Sequence, residues 1–220
     1  MSTLAIVDYG MGNLRSVAKA LEHVAPEGVC VEVTGDPARV RAADRVVFPG
    51  QGAAGDCMVE LRARALSEAV IEAARTRPFL GICMGMQVLM AHSEENRGTD
   101  CLGLFAGRVR RFAEDMRDAR NGERLKIPQM GWNGVHQERA HPLWAGIAQD
   151  ERFYFVHSYY VAPDEADLTV ATTEYGIRYT CAVARANVFA VQFHPEKSAA
   201  AGLQLLRNFA RWDGNPGALS

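Results

Sequence analysis

Four short, mostly apolar runs alternate with longer segments of helical spacing through the first part of the chain, and that alternation leaves few folds open. Leu4-Ala5-Ile6-Val7-Asp8, Val29 to Val33, Arg45-Val46-Val47-Phe48 and Pro78-Phe79-Leu80-Gly81-Ile82 have the length and residue types of strands. Leu14 to Val24, Met58 to Arg75 and Met84 to about His92 have helical periodicity. Strands spaced by such helices predict a parallel sheet covered on both faces, because a parallel connection needs a crossover that lies on the sheet.

The second half changes character. Leu104 to Phe112, Leu125 to Val135, Arg152 to Val161, Leu168 to Thr172, Tyr179 to Ala184 and Val188 to Phe193 read as strands. Arg185-Ala186-Asn187 reads as a hairpin turn, and Ala199 to Trp212 as a closing helix. No internal repeat, low-complexity tract or Pro/Gly/Ser-rich linker interrupts the pattern. The expectation is one α/β domain over residues 1–220. It has a mostly parallel central sheet flanked by helices, and an antiparallel β extension in the second half.

Charge and cysteine usage narrow the function classes. With 24 basic and 26 acidic side chains the net charge is −2, which gives no footprint for nucleic acid or an anionic membrane surface. No apolar run approaches the roughly 18 residues that span a bilayer. The apolar stretch at the start lacks a basic segment before it and ends at Asp8, unlike a signal peptide. Cys30, Cys57, Cys83, Cys101 and Cys181 are odd in number, widely spaced and without a CxxC. They argue against a disulfide framework or a zinc knuckle, so a cytoplasmic protein with reduced thiols is expected. His194-Pro195-Glu196 opens like a zinc deaminase motif, but no cysteine follows Cys181 and no HExxH occurs. Neither a metal nor a cofactor is expected.

The sharpest chemical signal is Gly81-Ile82-Cys83-Met84-Gly85, set between an apolar strand and a helical segment. It is the nucleophile-elbow pattern G-x-S-x-G with cysteine in place of serine. The nucleophile sits on a tight, strained turn where side chains at the flanking positions would clash. The turn lifts the sulfur above the strand ends. It also sets the sulfur at the start of the next helix, where a thiolate is favoured, and frees the Met84 N–H for an oxyanion. The alternative is a buried structural cysteine between two packing glycines, and for the isolated pattern the two weigh about equally.

A nucleophile needs a base and a group to orient it. Among six histidines, His194 stands out because it follows the apolar run Val188 to Phe193 and precedes Pro195, which holds it extended. Residues i and i+2 of an extended segment share a face, so Glu196 can reach the imidazole. A strand-end His-Pro turn with a solvated glutamate is the alternative. Pro49-Gly50-Gln51-Gly52-Ala53-Ala54-Gly55 fits G-x-G-x-x-G but follows the third strand rather than the first, and Glu68 and Glu72 fall within a helix. A dinucleotide site is therefore disfavoured. Backbone N–H donors at Gln51 and Gly52, beside the nucleophile, are the better use of this loop.

With Cys83 on its elbow and His194-Pro195-Glu196 near the other end, the chain resembles the class I glutamine amidotransferases. Within them it resembles the glutaminase subunits of imidazole glycerol phosphate synthases. The blocks that carry the closer likeness are Val7-Asp8-Tyr9-Gly10-Met11-Gly12-Asn13-Leu14, Pro128-Gln129-Met130-Gly131-Trp132-Asn133, Tyr154-Phe155-Val156-His157-Ser158-Tyr159 and His194-Pro195-Glu196-Lys197-Ser198. The resemblance implies a glutaminase that converts L-glutamine and water to glutamate and ammonia. It also implies a heterodimer with a (β/α)8 cyclase subunit that uses the ammonia in histidine biosynthesis.

Carried over residue by residue, the resemblance implies Cys83, His194 and Glu196 as a triad, and Gln51, Gly52 and Met84 as the oxyanion hole. It implies Gly50, Gln87, Glu95, His157, Ser158 and Tyr159 as glutamine-binding residues. Asn13, Trp132, Tyr154 and Lys197 would face the cyclase. Gln51 stands where an apolar residue such as valine is expected, which leaves the orientation of its peptide open. The free subunit is then expected to be a poor glutaminase until the cyclase and its ligand orient that peptide. Two other readings stay open: a glutaminase serving a different synthase, and a flavodoxin-like regulatory subunit with a redox-sensing cysteine.

Overall fold

The computed structural model describes residues 2–118 and 121–217. Strand and helix alternate through the first half. β1 (Ser2–Val7) leads to α1 (Leu14–Val24), β2 (Val29–Thr34) to α2 (Pro37–Ala42), and β3 (Arg45–Gly50) to α3 (Ala54–Ala63) and α4 (Leu66–Thr76). β4 (Phe79–Cys83) runs into a single helical turn, α5 (Met84–Gln87). The remaining strands are β5 (Met90–Ser93), β6 (Thr99–Asp100), β7 (Phe105–Arg111), β8 (Gln129–Gly134), β9 (His136–Gln137), β10 (Arg152–His157), β11 (Tyr159–Pro163), β12 (Thr169–Tyr175), β13 (Ile177–Arg185) and β14 (Val188–Val191). α6 (Ala199–Arg211) closes the order.

The main sheet runs β2-β1-β3-β4-β14-β13-β11-β7-β5-β6. The pairs from β2 across to β14 are parallel, and β14-β13, β13-β11 and β11-β7 are antiparallel. The architecture is therefore the α/β one with an antiparallel extension. Period-2 alternation builds a core on each face of the parallel part. Leu4, Ile6, Val47, Leu80, Ile82, Phe189 and Val191 share one buried cluster with Val17 and Leu21 of α1 and Phe209 of α6. Ala5, Val7, Val46, Phe48, Phe79 and Ala190 share the other with Leu61 of α3 and Val70 of α4. A fully buried side chain of this size contributes about 1.5–3 kcal/mol, so both helical layers are held by the sheet between them.

Several expected boundaries give way. The helix expected over Met58 to Arg75 is two helices, broken where Ala65 takes the left-handed conformation at φ 55°. The helix expected from Met84 to His92 stops at Gln87, and Met90–Ser93 instead pairs with β7 as a strand. Arg152 to Val161 is two strands parted at Ser158: β10 pairs with β8 in a separate two-stranded sheet, while β11 joins the main sheet. Within Leu125 to Val135 only Gln129–Gly134 is strand. The hairpin turn does form, with Arg185 opposite Val188 across Ala186 and Asn187. Among the described residues no helix is long and apolar enough to cross a membrane.

Candidate active site

The carboxyl ends of β3, β4 and β14 lie side by side, with Gly50 in register with Cys83 and Val191 with Ile82. This is where open parallel sheets hold their ligands. Cys83 ends β4 and caps α5 with φ 56° and ψ −110°, a conformation that L residues adopt only when their surroundings impose it. The surroundings are visible at Gly85, where a Cβ would fall within the Phe48 carbonyl oxygen. Gly50 is under the same constraint, since its Cβ would collide with the Tyr9 hydroxyl and stand 2.8 Å from the Met84 Cβ. The end of β3 and the elbow thus meet backbone to backbone. The Met84 N–H, first in α5, has no partner within that helix.

His194 comes three residues after β14, extended at φ −105° and ψ 96° as its proline neighbour requires. Its N–H donates to the Tyr154 carbonyl at 2.9 Å, and Ser198 Oγ donates to its carbonyl at 2.6 Å. Nδ1 lies 2.9 Å from Glu196 Oε1, with the two side chains only 3% and 1% exposed. That leaves Nε2 free on the side of Cys83, which lines the same cavity as His194 and is close enough to act on its ionisation. Burial works against a charge on His194. The adjoining Cys83 and Glu196 outweigh it and raise the imidazole to about 10. Because α5 is one turn long, its dipole is a small fraction of a full helix's. The charge that faces the sulfur is the imidazolium rather than the helix end expected from the sequence.

A cavity of about 380 Å³ opens above this pair. Gln51, Gly52 and Met84 line one side, and Gln87 and Glu95 another. His157, Ser158 and Tyr159, at the break between β10 and β11, form a third wall, and Lys197 stands at the edge with His194. Glu196 lies behind His194, and Gly50 lies beneath the elbow. Gln87 is buried; its Nε2 donates to the Tyr159 carbonyl at 3.1 Å and to Gln192 Oε1 at 3.0 Å. Its Oε1 has no partner among the described residues. Glu95 accepts from the Ala54 N–H at 2.7 Å, at the start of α3. Burial lifts the Glu95 carboxyl above its ordinary range, with the Ala54 N–H opposing. His157 Nδ1 donates to the Tyr159 carbonyl at 2.7 Å, and burial presses this imidazole down to about 4.

Trp132, Tyr154 and Lys197 form a separate row. Trp132 and Tyr154 meet edge to face at 6.2 Å, and Lys197 Nζ lies 6.0 Å from the Tyr154 ring centre. Trp132 is 44% exposed and its neighbour Met130 is 65% exposed, beside a second cavity of about 420 Å³. Asn13 sits at the N-cap of α1, with its side chain making no capping bond. Sequence reasoning missed Gln192, whose Nε2 donates to Cys83 Sγ at 3.6 Å. Its signal was a lone polar residue inside the apolar run Val188 to Phe193. Tyr9 and Cys57, packed behind Gly50 and Gln51, carried no comparable signal.

The family model described as glutamine amidotransferase class-I matches residues 5–212. The imidazole glycerol phosphate synthase subunit HisH of Aromatoleum aromaticum is 62% identical over 96% of this chain and 99% of its own length. That of Thiobacillus denitrificans is 60% identical over 97% and 92%. Among solved structures, the glutaminase domain of Trypanosoma brucei CTPS superposes with a TM-score of 0.60 at 17% identity. That alignment covers 99% of this chain and 97% of the other, and at such low identity it bears on the fold alone.

Proposed function

This chain belongs to the class I glutamine amidotransferase family, and we propose that the pocket at the ends of β3, β4 and β14 is where it hydrolyses glutamine. The chain is the glutamine-hydrolysing subunit of an imidazole glycerol phosphate synthase, working in histidine biosynthesis, and its partner is the cyclase subunit. The family match over residues 5–212 supports reading it as one domain. A cytoplasmic location follows from the biosynthetic role.

One observation carries the assignment to these residues: Cys83 on its strained turn and His194, backed by Glu196, come from distant parts of the chain to line one cavity. Cys83 Sγ attacks the side-chain amide carbon of L-glutamine, and the carbonyl electron pair moves onto oxygen. Donors at Gln51–Gly52 and the Met84 N–H hold that oxyanion. His194 gives its proton to the amide nitrogen as the C–N bond breaks and ammonia leaves. It then takes a proton from water, whose oxygen adds to the thioester; the C–S bond breaks and glutamate departs. Glu196 holds the imidazole on its Nδ1 side and balances its charge. The free Gln87 Oε1 and the Glu95 carboxylate are acceptors suited to the substrate ammonium, and the peptides of His157, Ser158 and Tyr159 to its carboxylate end. Gly50 bears on glutamine binding through the elbow, which its missing side chain lets close against the end of β3.

The row Trp132, Tyr154, Lys197, with exposed Met130, is the face offered to a (β/α)8 cyclase in a heterodimer, and Asn13 belongs to the same contact. Coupling to the partner avoids idle loss of glutamine, so the cyclase and its nucleotide ligand activate the site. The test is glutamine turnover by the chain alone, then with the cyclase and its ligand. Turnover rises with the partner on this reading; equal turnover in both conditions refutes the coupling, and none in either refutes the activity.

A further inference from the structure

The Gln51–Gly52 loop is gripped from outside the cavity. One turn into α3, the buried Cys57 thiol donates to the Gln51 carbonyl oxygen at 3.5 Å. The hydroxyl of fully buried Tyr9 lies 3.6 Å from the same sulfur. A carbonyl can only accept, so the single Cys57 hydrogen is committed to Gln51, and Tyr9 must donate to the sulfur. Burial pushes the Cys57 thiol up to about 11 and the Tyr9 hydroxyl well above its ordinary range, so both keep their hydrogens at neutral pH. The result is a directed chain from Tyr9 through Cys57 to Gln51.

Peptides are planar and trans, so an N–H points opposite its C=O. Gln51 and Gly52 line the cavity, and Cys57 stands behind them. Turning the Gln51 oxygen towards Cys57 turns the Gly52 N–H the other way. A hydrogen bond accepted at the oxygen also strengthens that N–H as a donor. We infer that Cys57, steadied by Tyr9, is a positioning residue for glutamine hydrolysis: its thiol fixes the Gln51–Gly52 peptide with the N–H facing the site of the oxyanion. The inference rests on the pocket being the glutaminase site, and it places the group that orients this peptide in the chain itself rather than in the cyclase expected from the sequence.

The experiment uses the reconstituted complex with cyclase and nucleotide ligand. It compares unsubstituted chain, Cys57→Ala and Cys57→Ser for kcat, KM for glutamine, and the rate of iodoacetamide labelling at Cys83 read by peptide mass spectrometry. Cys57→Ala lowers kcat about tenfold, less than the 10²–10³ that losing an oxyanion donor outright costs. KM and Cys83 labelling stay within about twofold, because neither needs an oxyanion. Cys57→Ser, which keeps a donor, recovers most of kcat. Full activity in Cys57→Ala overturns the inference. So does a loss in which KM and labelling move together with kcat, which marks general disorder. If the unsubstituted complex hydrolyses no glutamine, the glutaminase reading itself is at fault, and that control is read before any variant.

Discussion

His194 and His157 are both buried beside the same cavity, yet they take opposite charge states. Burial alone drives an imidazole neutral, and at His157, whose Nδ1 meets only a carbonyl, it does so, to about 4. At His194 the same penalty is overcome by Cys83 and by the Glu196 carboxylate, and the value rises to about 10. Since that lies above the ordinary 6.5, the pair's contribution to stability is complete below about pH 6.5 and is lost as pH rises through about 10. Glu196→Gln removes one support of the imidazolium. Its kcat for glutamine in the complex falls about a hundredfold, within the range of positioned acid–base catalysis. The ionisation of His194, followed by imidazole NMR, moves to lower pH. An unmoved ionisation would show that Cys83 alone sets it. His194 and Glu196 were legible in the sequence because proline fixes the backbone and i, i+2 fixes the face. Cys57 was not, since its bond to Gln51 exists only once the loop bends back over α3.

Among the strands and helices, the elbow depends on β3 and α5 closing to backbone contact. Gly85→Ala puts a methyl into the Phe48 carbonyl, and relieving it means parting β3 from β4 or unwinding α5. We expect a loss of about 2–4 kcal/mol, in the range of overpacked and strained sites, read as a lower urea midpoint. An unchanged midpoint would mean that the turn relaxes freely. The strands of the parallel half were legible because apolar runs buried on both faces have few other uses. The helix after Cys83 was misjudged because Met84 to His92 is apolar enough to satisfy either a helical or an extended period. The break at Ala65 escaped notice because no glycine or proline marks it. The parting of β10 from β11 at Ser158 depends on which sheet each strand joins, which is information held far away in β8 and β7.

Across the molecule, pH acts with a second sign. His141 Nδ1 accepts from the Leu143 N–H at 3.2 Å, and its ring packs on Phe189 and Trp212 at 4.6 and 5.1 Å. Burial lowers it to about 4, with Arg139 adding to the effect. A histidine held below 6.5 contributes stability that is present above about pH 6.5 and is lost as pH falls through about 4. The loss is up to about 3 kcal/mol. His141→Asn, which keeps an acceptor for Leu143, flattens that part of the urea-stability curve; an equally steep curve would place the acid sensitivity elsewhere. The ends of β3, β4 and β14 meet at one pocket, so what the pocket does depends on the sulfur at its floor. That sulfur is tested by treating the complex with a glutamine-like alkylating agent and locating the adduct by peptide mass spectrometry while turnover is followed. A single adduct on Cys83 is expected, slowed by glutamine and formed in step with loss of activity. An adduct on Cys57 or Cys101 that tracks the loss, or full turnover with Cys83 blocked, would contradict the role given to this thiol.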